Sequence, residues 1–276
     1  MGAPLVRPAV VAGRFYPAKP EVLKRDLENY LGREAAAQEP KIEGALGCVV
    51  PHAGYVYSGK VAGAVYQKLP ARSSYIILCP NHTGRGAPLA MMSGGSWQTP
   101  LGEVPVDHAL ATVLGNSCHL LTEDSEAHSQ EHSLEVQLPF LQRQVKDFRF
   151  VPVAVGVGNY AALEFLGHCV AHAVEIAAKP VMVIASSDMN HYEPDGVTRI
   201  KDQRAIEKIL ALDPHGLHEV VRKENISMCG YGPTIAMLAA VVELGAKQAH
   251  LVKYATSADA GGDRDAVVGY AGIIIS

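Results

Sequence analysis

Apolar residues along this chain fall into two alternating rhythms. Continuous runs of strand length, Leu46–Val50, Tyr75–Cys79, Leu89–Met92, Phe148–Val155 and Pro180–Ala185, are separated by stretches whose apolar residues recur three or four positions apart. The second rhythm predicts helices from Ser58 to about Leu69, over Val106–Leu114, and behind Asn159, whose side chain is placed to cap a helix carrying Leu163, Leu166, Val170 and Val174 on one face. Leu134, Leu138, Leu141 and Val145 form another helical stripe, with Pro139 inside it predicting a bend. Two polar-faced helices follow, near Thr198–Ala211 and Pro214–Lys223. A nearly all-apolar helix then runs from Pro233 to Leu244, which marks it as buried. His250–Tyr254 and Ala266–Ile275 read as two last strands joined by a Gly261-Gly262 turn. Strands alternating with helices predict an α/β fold, a mixed sheet covered by helices on both faces. No repeat, low-complexity tract or linker divides the chain, so one domain is expected over 1–276, with residues 1–40 packed against it.

Composition narrows the function classes. The 276 residues carry 24 Lys+Arg and 28 Asp+Glu, a net charge of −4, with no block of basic residues. That excludes the electrostatic footprint of a nucleic-acid binder. The longest apolar runs, Ile235–Val242 and Val267–Ile275, fall far short of the roughly 18 residues a membrane-spanning helix needs. MGAPLVRPAVV lacks the pattern of a secretory leader, and Val6 stands where a myristoylation signal wants Ser or Thr. The five cysteines, Cys48, Cys79, Cys118, Cys169 and Cys229, are widely spaced and form no CxxC. Reduced thiols, and hence a cytoplasmic location, are expected.

The informative feature is a repeated strand ending. Leu46–Val50 runs into Pro51-His52-Ala53-Gly54, Tyr75–Cys79 into Pro80-Asn81-His82-Thr83-Gly84, and Pro180–Ala185 into Ser186-Ser187-Asp188-Met189-Asn190-His191. Ligand crevices of open α/β sheets lie outside the carboxyl ends of the strands. Three such loops can therefore gather His52, His82, Asp188 and His191, which points to a metal or to proton transfer. Cys229 lies just before the buried helix, where the helix dipole favours a thiolate able to act as nucleophile or soft ligand. Its surroundings, Cys229-Gly230-Tyr231-Gly232, let the backbone approach closely. In Glu131-His132-Ser133-Leu134-Glu135, a helical spacing would pair His132 with Glu135 and orient the imidazole. His168 and His172 stand four apart, but Cys169 replaces the glutamate of a zinc-protease motif and the pair faces away from the apolar stripe. No glycine-rich segment matches a nucleotide-binding loop.

Taken together, these segments resemble the Memo family, called AmmeMemoRadiSam system protein B in prokaryotes. The resemblance runs nearly end to end. It is carried by Arg7-Pro8-Ala9, Gly13-Arg14-Phe15-Tyr16-Pro17, Pro51-His52-Ala53-Gly54-Tyr55-Val56-Tyr57-Ser58-Gly59, Pro80-Asn81-His82, Glu131 through Pro139, Ser186-Ser187-Asp188 with His191, Cys229-Gly230, and Tyr254-Ala255-Thr256-Ser257. It implies a fold similar to class III extradiol dioxygenases. It also implies a metal, iron first with copper or zinc as alternatives, held by His52, His82 and Cys229, while His132, Asp188 and His191 line the same pocket and serve catalysis. A thiolate in place of the dioxygenase carboxylate departs from the two-His, one-carboxylate iron site, so catechol cleavage does not follow from the fold. The reading implied is an iron-dependent oxidoreductase acting on a small molecule, with radical SAM and AMMECR1-type proteins of the same system as partners. Two other readings stand beside it: a peptide-binding adaptor, weakened because Arg85 is the lone arginine of the strand-end loops, and a zinc hydrolase.

Overall fold

Neighbouring residues of the central strands point into two separate cores. Val49, Ile76, Leu78, Val183 and Ala185 join one, while Cys48, Val50, Ile77, Cys79, Met182 and Ile184 join the other. Strands covered on both faces are apolar at every position, which is why these runs show no alternation in the sequence. The computed structural model describes residues 5–32 and 40–276; residues 1–4, where a leader or lipid signal was sought, lie outside them.

In chain order the elements are β1 (Val6–Arg7), α1 (Pro20–Leu31), β2 (Gly47–Val50), α2 (Tyr55–Lys68), β3 (Ser74–Pro80), β4 (Leu89–Met91), β5 (Ser96–Thr99), β6 (Gly102–Pro105), α3 (His108–Ser117), β7 (Thr122–Glu123) and α4 (Glu126–Ser129). They continue with α5 (Leu138–Gln144), β8 (Arg149–Val155), α6 (Tyr160–Ile176), β9 (Val181–Ser186), β10 (His191–Glu193), α7 (Asp195–Leu210), α8 (Pro214–Lys223), α9 (Tyr231–Glu243), β11 (Ala249–Thr256) and β12 (Val267–Ile275).

The main sheet has nine strands in the order β10-β12-β2-β9-β3-β8-β4-β7, with β11 also paired to β12. β2, β9, β3 and β8 are mutually parallel, and β12 and β4 are antiparallel to their neighbours β2 and β8. The result is the expected α/β fold with a mixed sheet. α6 and α9 pack together on one face, with α9 against β2, β3 and β9, and α2 lies on the other with α1 and α5. Because β9 lies between β2 and β3, the loops bearing His52 and His82 flank the Ser186–Asp188 loop at one edge of the sheet.

Several expectations are corrected by local chemistry. α2 begins at Tyr55, three residues before Ser58, because the Tyr55 hydroxyl is drawn inward to donate to the carbonyl of Val136 at 2.6 Å. Pro139 does not bend a helix. A 3-10 turn over Glu135–Gln137 leads into α5, and Pro139 stands in that helix's first turn, where its missing N–H costs nothing. α3 starts at His108, since Asp107 caps it by accepting from the Leu110 N–H. The described part of the 1–40 segment, residues 5–32 and 40, is richer than its sequence suggested: α1 packs on α2, and β1 joins the β5–β6 hairpin in a small second sheet. The last two strands are linked through a 3-10 turn, Ser257–Ala260, closed by a Thr256/Asp259 capping box before Gly261. Cys48, Cys79, Cys118 and Cys169 are buried free thiols. Among the described residues, no helix is long and apolar enough to cross a membrane.

Candidate metal centre

The strand-end loops open into a cleft of about 830 Å³ lined in part by His52, His82, His132, Asp188, His191 and Cys229. All six residues singled out in the sequence therefore meet at one place. One ring nitrogen from each of His52, His82 and His132 lies within 4.8 Å of the others, which makes the three a candidate group for holding a single cation. His82 and His132 stack with ring centroids 4.8 Å apart, and His52 stands edge-on to both at 5.2 and 5.5 Å. His132, which the sequence assigned to the pocket wall, thus groups with the two strand-end histidines. Cys229 is adjacent, its Sγ 3.2 Å from Nε2 of His52.

Hydrogen-bond accounting fixes how two of the rings are presented. Gln137 Nε2 donates to the carbonyl of Pro51 (3.0 Å) and to Ser186 Oγ (2.8 Å), and the Ser186 hydroxyl donates to the carbonyl of Ser133 (2.7 Å). With its proton spent, Ser186 Oγ can only accept from His52 Nδ1, 3.0 Å away. His52 is thereby held as the Nδ1–H tautomer, with the Nε2 lone pair facing the cleft. Glu131 does the same for His82. Its buried carboxylate accepts from the His82 N–H (2.6 Å), from His82 Nδ1 (2.9 Å), and from the N–H and hydroxyl of Ser133 (2.9 and 2.7 Å). Burial alone would raise the Glu131 pKa, but these bonds from His82 and Ser133 bring it down to about 2. An oriented imidazole whose other nitrogen donates to a carboxylate or an oxygen is the usual support of a metal ligand.

Protonation fits the same use. Burial, then repulsion from His132, His82 and His191, pushes His52 well below the ordinary histidine range. Burial also takes His132 down to about 4, against a partial opposing pull from Glu131. Neutral imidazoles are the form that binds metals. Asp188 is raised to about 6 by burial, although its Oδ1 accepts from the His52 and Ala53 N–H groups at 2.7 and 3.3 Å. His191 donates from Nδ1 to the carbonyl of Ser227 (2.9 Å), leaving Nε2 free, and its N–H is held by Ser227 Oγ at 2.7 Å. Asn190 ties that loop down, its Oδ1 accepting from the Ser227 N–H at 3.0 Å and its N–H donating to the buried Asp202 at 2.8 Å.

Two site expectations change. The Cys229 thiol does not rest as a thiolate: burial, then the Asp188 carboxylate, pushes its pKa well up, outweighing the Asp188 N–H at 3.3 Å and the N–H of Gly230 at the start of the helix. Ionising that sulfur calls for a cation beside it. The glutamate that supports an imidazole is Glu131, not Glu135. The segment 130–134 is not helical, and Glu135 turns away to meet Arg7, the Tyr16 hydroxyl and the N–H groups of Val10 and Val11. Glu131 went unread because its partner His82 is 49 residues away. Ser186 and Gln137 stand in motifs that carry the resemblance, but nothing in the sequence assigned either of them a role. Gly230 is required here: a Cβ would sit 2.3 Å from the carbonyl oxygen of Ser186. His168 and His172 lie exposed on α6, away from the cleft, with His168 paired to Glu243.

Residues 7–274 match the family model described as Memo-like protein. The chain belongs to that family. It is 43% identical to a MEMO1 family protein of Methanopyrus kandleri, covering 97% of this chain and 98% of that one, and 44% identical to one of Methanosarcina barkeri, covering 98% and 100%. Among solved structures, an uncharacterized protein of Escherichia coli K12 shares the fold with a TM-score of 0.58 at 14% identity, over 83% of this chain and 98% of the other. At that identity the likeness speaks for the Memo-like chain's architecture alone.

Proposed function

We propose that the cleft is an iron centre at which a small molecule is oxidised, with His52, His82 and His132 facing the ion and Cys229 as an additional sulfur donor. The observation that carries this reading is the pair of locked rings: Ser186 and Glu131 each commit one histidine to present Nε2 outward, in a place where the third imidazole is neutral. Imidazole, carboxylate and thiol groups around an open cleft suit iron, and the resemblance to class III extradiol dioxygenases supports that choice over zinc. Iron would supply redox chemistry toward a bound substrate. The chain's own part is to exclude water from the cleft floor, where His52 is 2% exposed, and to move protons. His191, with Nε2 free, is the group placed to take a proton, and Asp188, titrating near 6, is placed to return one.

Metal analysis of protein isolated without air tests this reading. About one iron per chain, lost in His52→Ala with the fold intact, is the expected result. Zinc at that stoichiometry would favour hydrolysis instead, and a metal-free protein that binds peptides would favour the adaptor reading.

A further inference from the structure

Tyr192 is held in an unfavourable conformation at the mouth of this cleft. Its φ of +61° is one a bulky side chain rarely adopts. The other non-glycine residues with positive φ, Asp147, Ala178, Leu212 and Asn225, all lie in connections between elements, whereas Tyr192 sits inside a strand. It falls where the pairing of β10 with β12 shifts register between His191 and Glu193, a bulge of the kind that re-aims a side chain beside a site. The ring so aimed is 76% exposed, lines the cleft, and stands 5.6 Å from the His191 ring. Burial therefore does not account for it. Tyr57, on the first turn of α2 and 46% exposed, lines the same cleft, as do Phe15 and Tyr270. The charged residues of the lining, among the described residues, are Asp188 and Asp263, with no Lys or Arg.

We infer that the cleft takes a ligand with a planar aromatic ring bearing no anionic group, and that Tyr192 is the specificity-determining residue against which the ring stacks. Strain persists at functional sites when the aimed group is used there, and an offset aromatic pair is the contact an exposed tyrosine offers. A phosphate or carboxylate on the ligand would lose its water in this cleft without a lysine or arginine to meet it. The inference rests on reading the cleft as a small-molecule site, but ring docking at the mouth does not require the ion.

Titration of the 276-residue chain, with and without bound metal, against benzyl alcohol, benzylamine and phenyl phosphate by ligand-observed NMR tests it. In metal-free protein the first two are expected to bind at least tenfold more tightly than phenyl phosphate. Tyr192→Phe should keep that binding. Tyr192→Asn, which tolerates the left-handed backbone and keeps the bulge, should weaken it roughly three- to tenfold, with a melting temperature equal to or above that of the parent. Unchanged binding in Tyr192→Asn, phenyl phosphate as the tightest probe, or a lowered melting temperature would each overturn the inference. Ring binding in a chain that takes up no metal supports it while defeating the iron reading, and metal uptake without ring binding does the reverse.

Discussion

The hydroxyl of Ser186, at the end of β9, lies 3.0 Å from Nδ1 of His52, just past the end of β2, and can only accept a hydrogen bond from it. Ser186 and His52 are 134 residues apart in sequence but belong to adjacent parallel strands, so the register of the sheet sets the tautomer of a candidate ligand. Replacing Ser186 with Ala frees Nδ1 and lets the ring exchange tautomers. Nitrogen-15 NMR of the histidine rings should show His52 as Nδ1–H in the parent and as a mixture in Ser186→Ala. Metal affinity should fall about 10- to 100-fold. A single unchanged tautomer in the variant would show that Ser186 does not set it.

Glu131→Gln tests the second support. Among the described residues, the hydrogen bonds that reach this carboxylate come from donors on His82 and Ser133. An amide must turn its own NH2 toward some of them, leaving buried groups unsatisfied. The expected loss is about 1–3 kcal/mol of stability, accompanied by weaker metal binding, read by chemical denaturation and metal titration. A variant as stable as the parent would remove Glu131 from this role.

Acid should destabilise the protein through a buried histidine that must stay neutral in the fold. His128 is fully buried, its ring edge-on to Trp97, and neither ring nitrogen makes a hydrogen bond among the described residues. Burial, then the charge of Arg7, lowers its pKa from 6.5 to about 4. With the folded value below the unfolded one, the unfolded chain binds more protons between the two. The stability His128 contributes is therefore present above pH 6.5 and lost as pH falls toward 4, about 2 kcal/mol of it between pH 7 and 5. His132, lowered to about 4 as well, adds to the same window. His128→Phe should keep the edge-on contact and flatten the slope of stability against pH between 7 and 5. An unaltered slope would place the acid sensitivity elsewhere.

The elements that were legible in the sequence are those whose signal is local. β2, β3 and β9 announced themselves as apolar runs stopped by polar loops, and their histidines could be grouped because ligand crevices form at strand ends. Asn159 caps α6 as its position suggested, accepting from the Ala162 N–H. What the sequence hid depends on distant partners. Tyr55 is helical because Val136 accepts its hydroxyl, α1 is fixed by packing on α2, and Pro139 starts a helix only because a 3-10 turn precedes it. The same holds at the site. Ser186, Gln137 and Glu131 are ordinary residues until the sheet places them behind His52 and His82, and the Cys229 thiol is governed by its burial, which a position next to a helix start does not reveal.

X-ray absorption at the metal edge of the anaerobically isolated protein addresses the central claim directly, that His52, His82 and His132 face one ion. The account predicts about one ion per chain whose nearest neighbours include imidazole nitrogens with the outer-ring scattering of histidine, diminished in His52→Ala and again in His132→Ala. A spectrum with oxygen neighbours alone, or one that neither substitution changes, would contradict it.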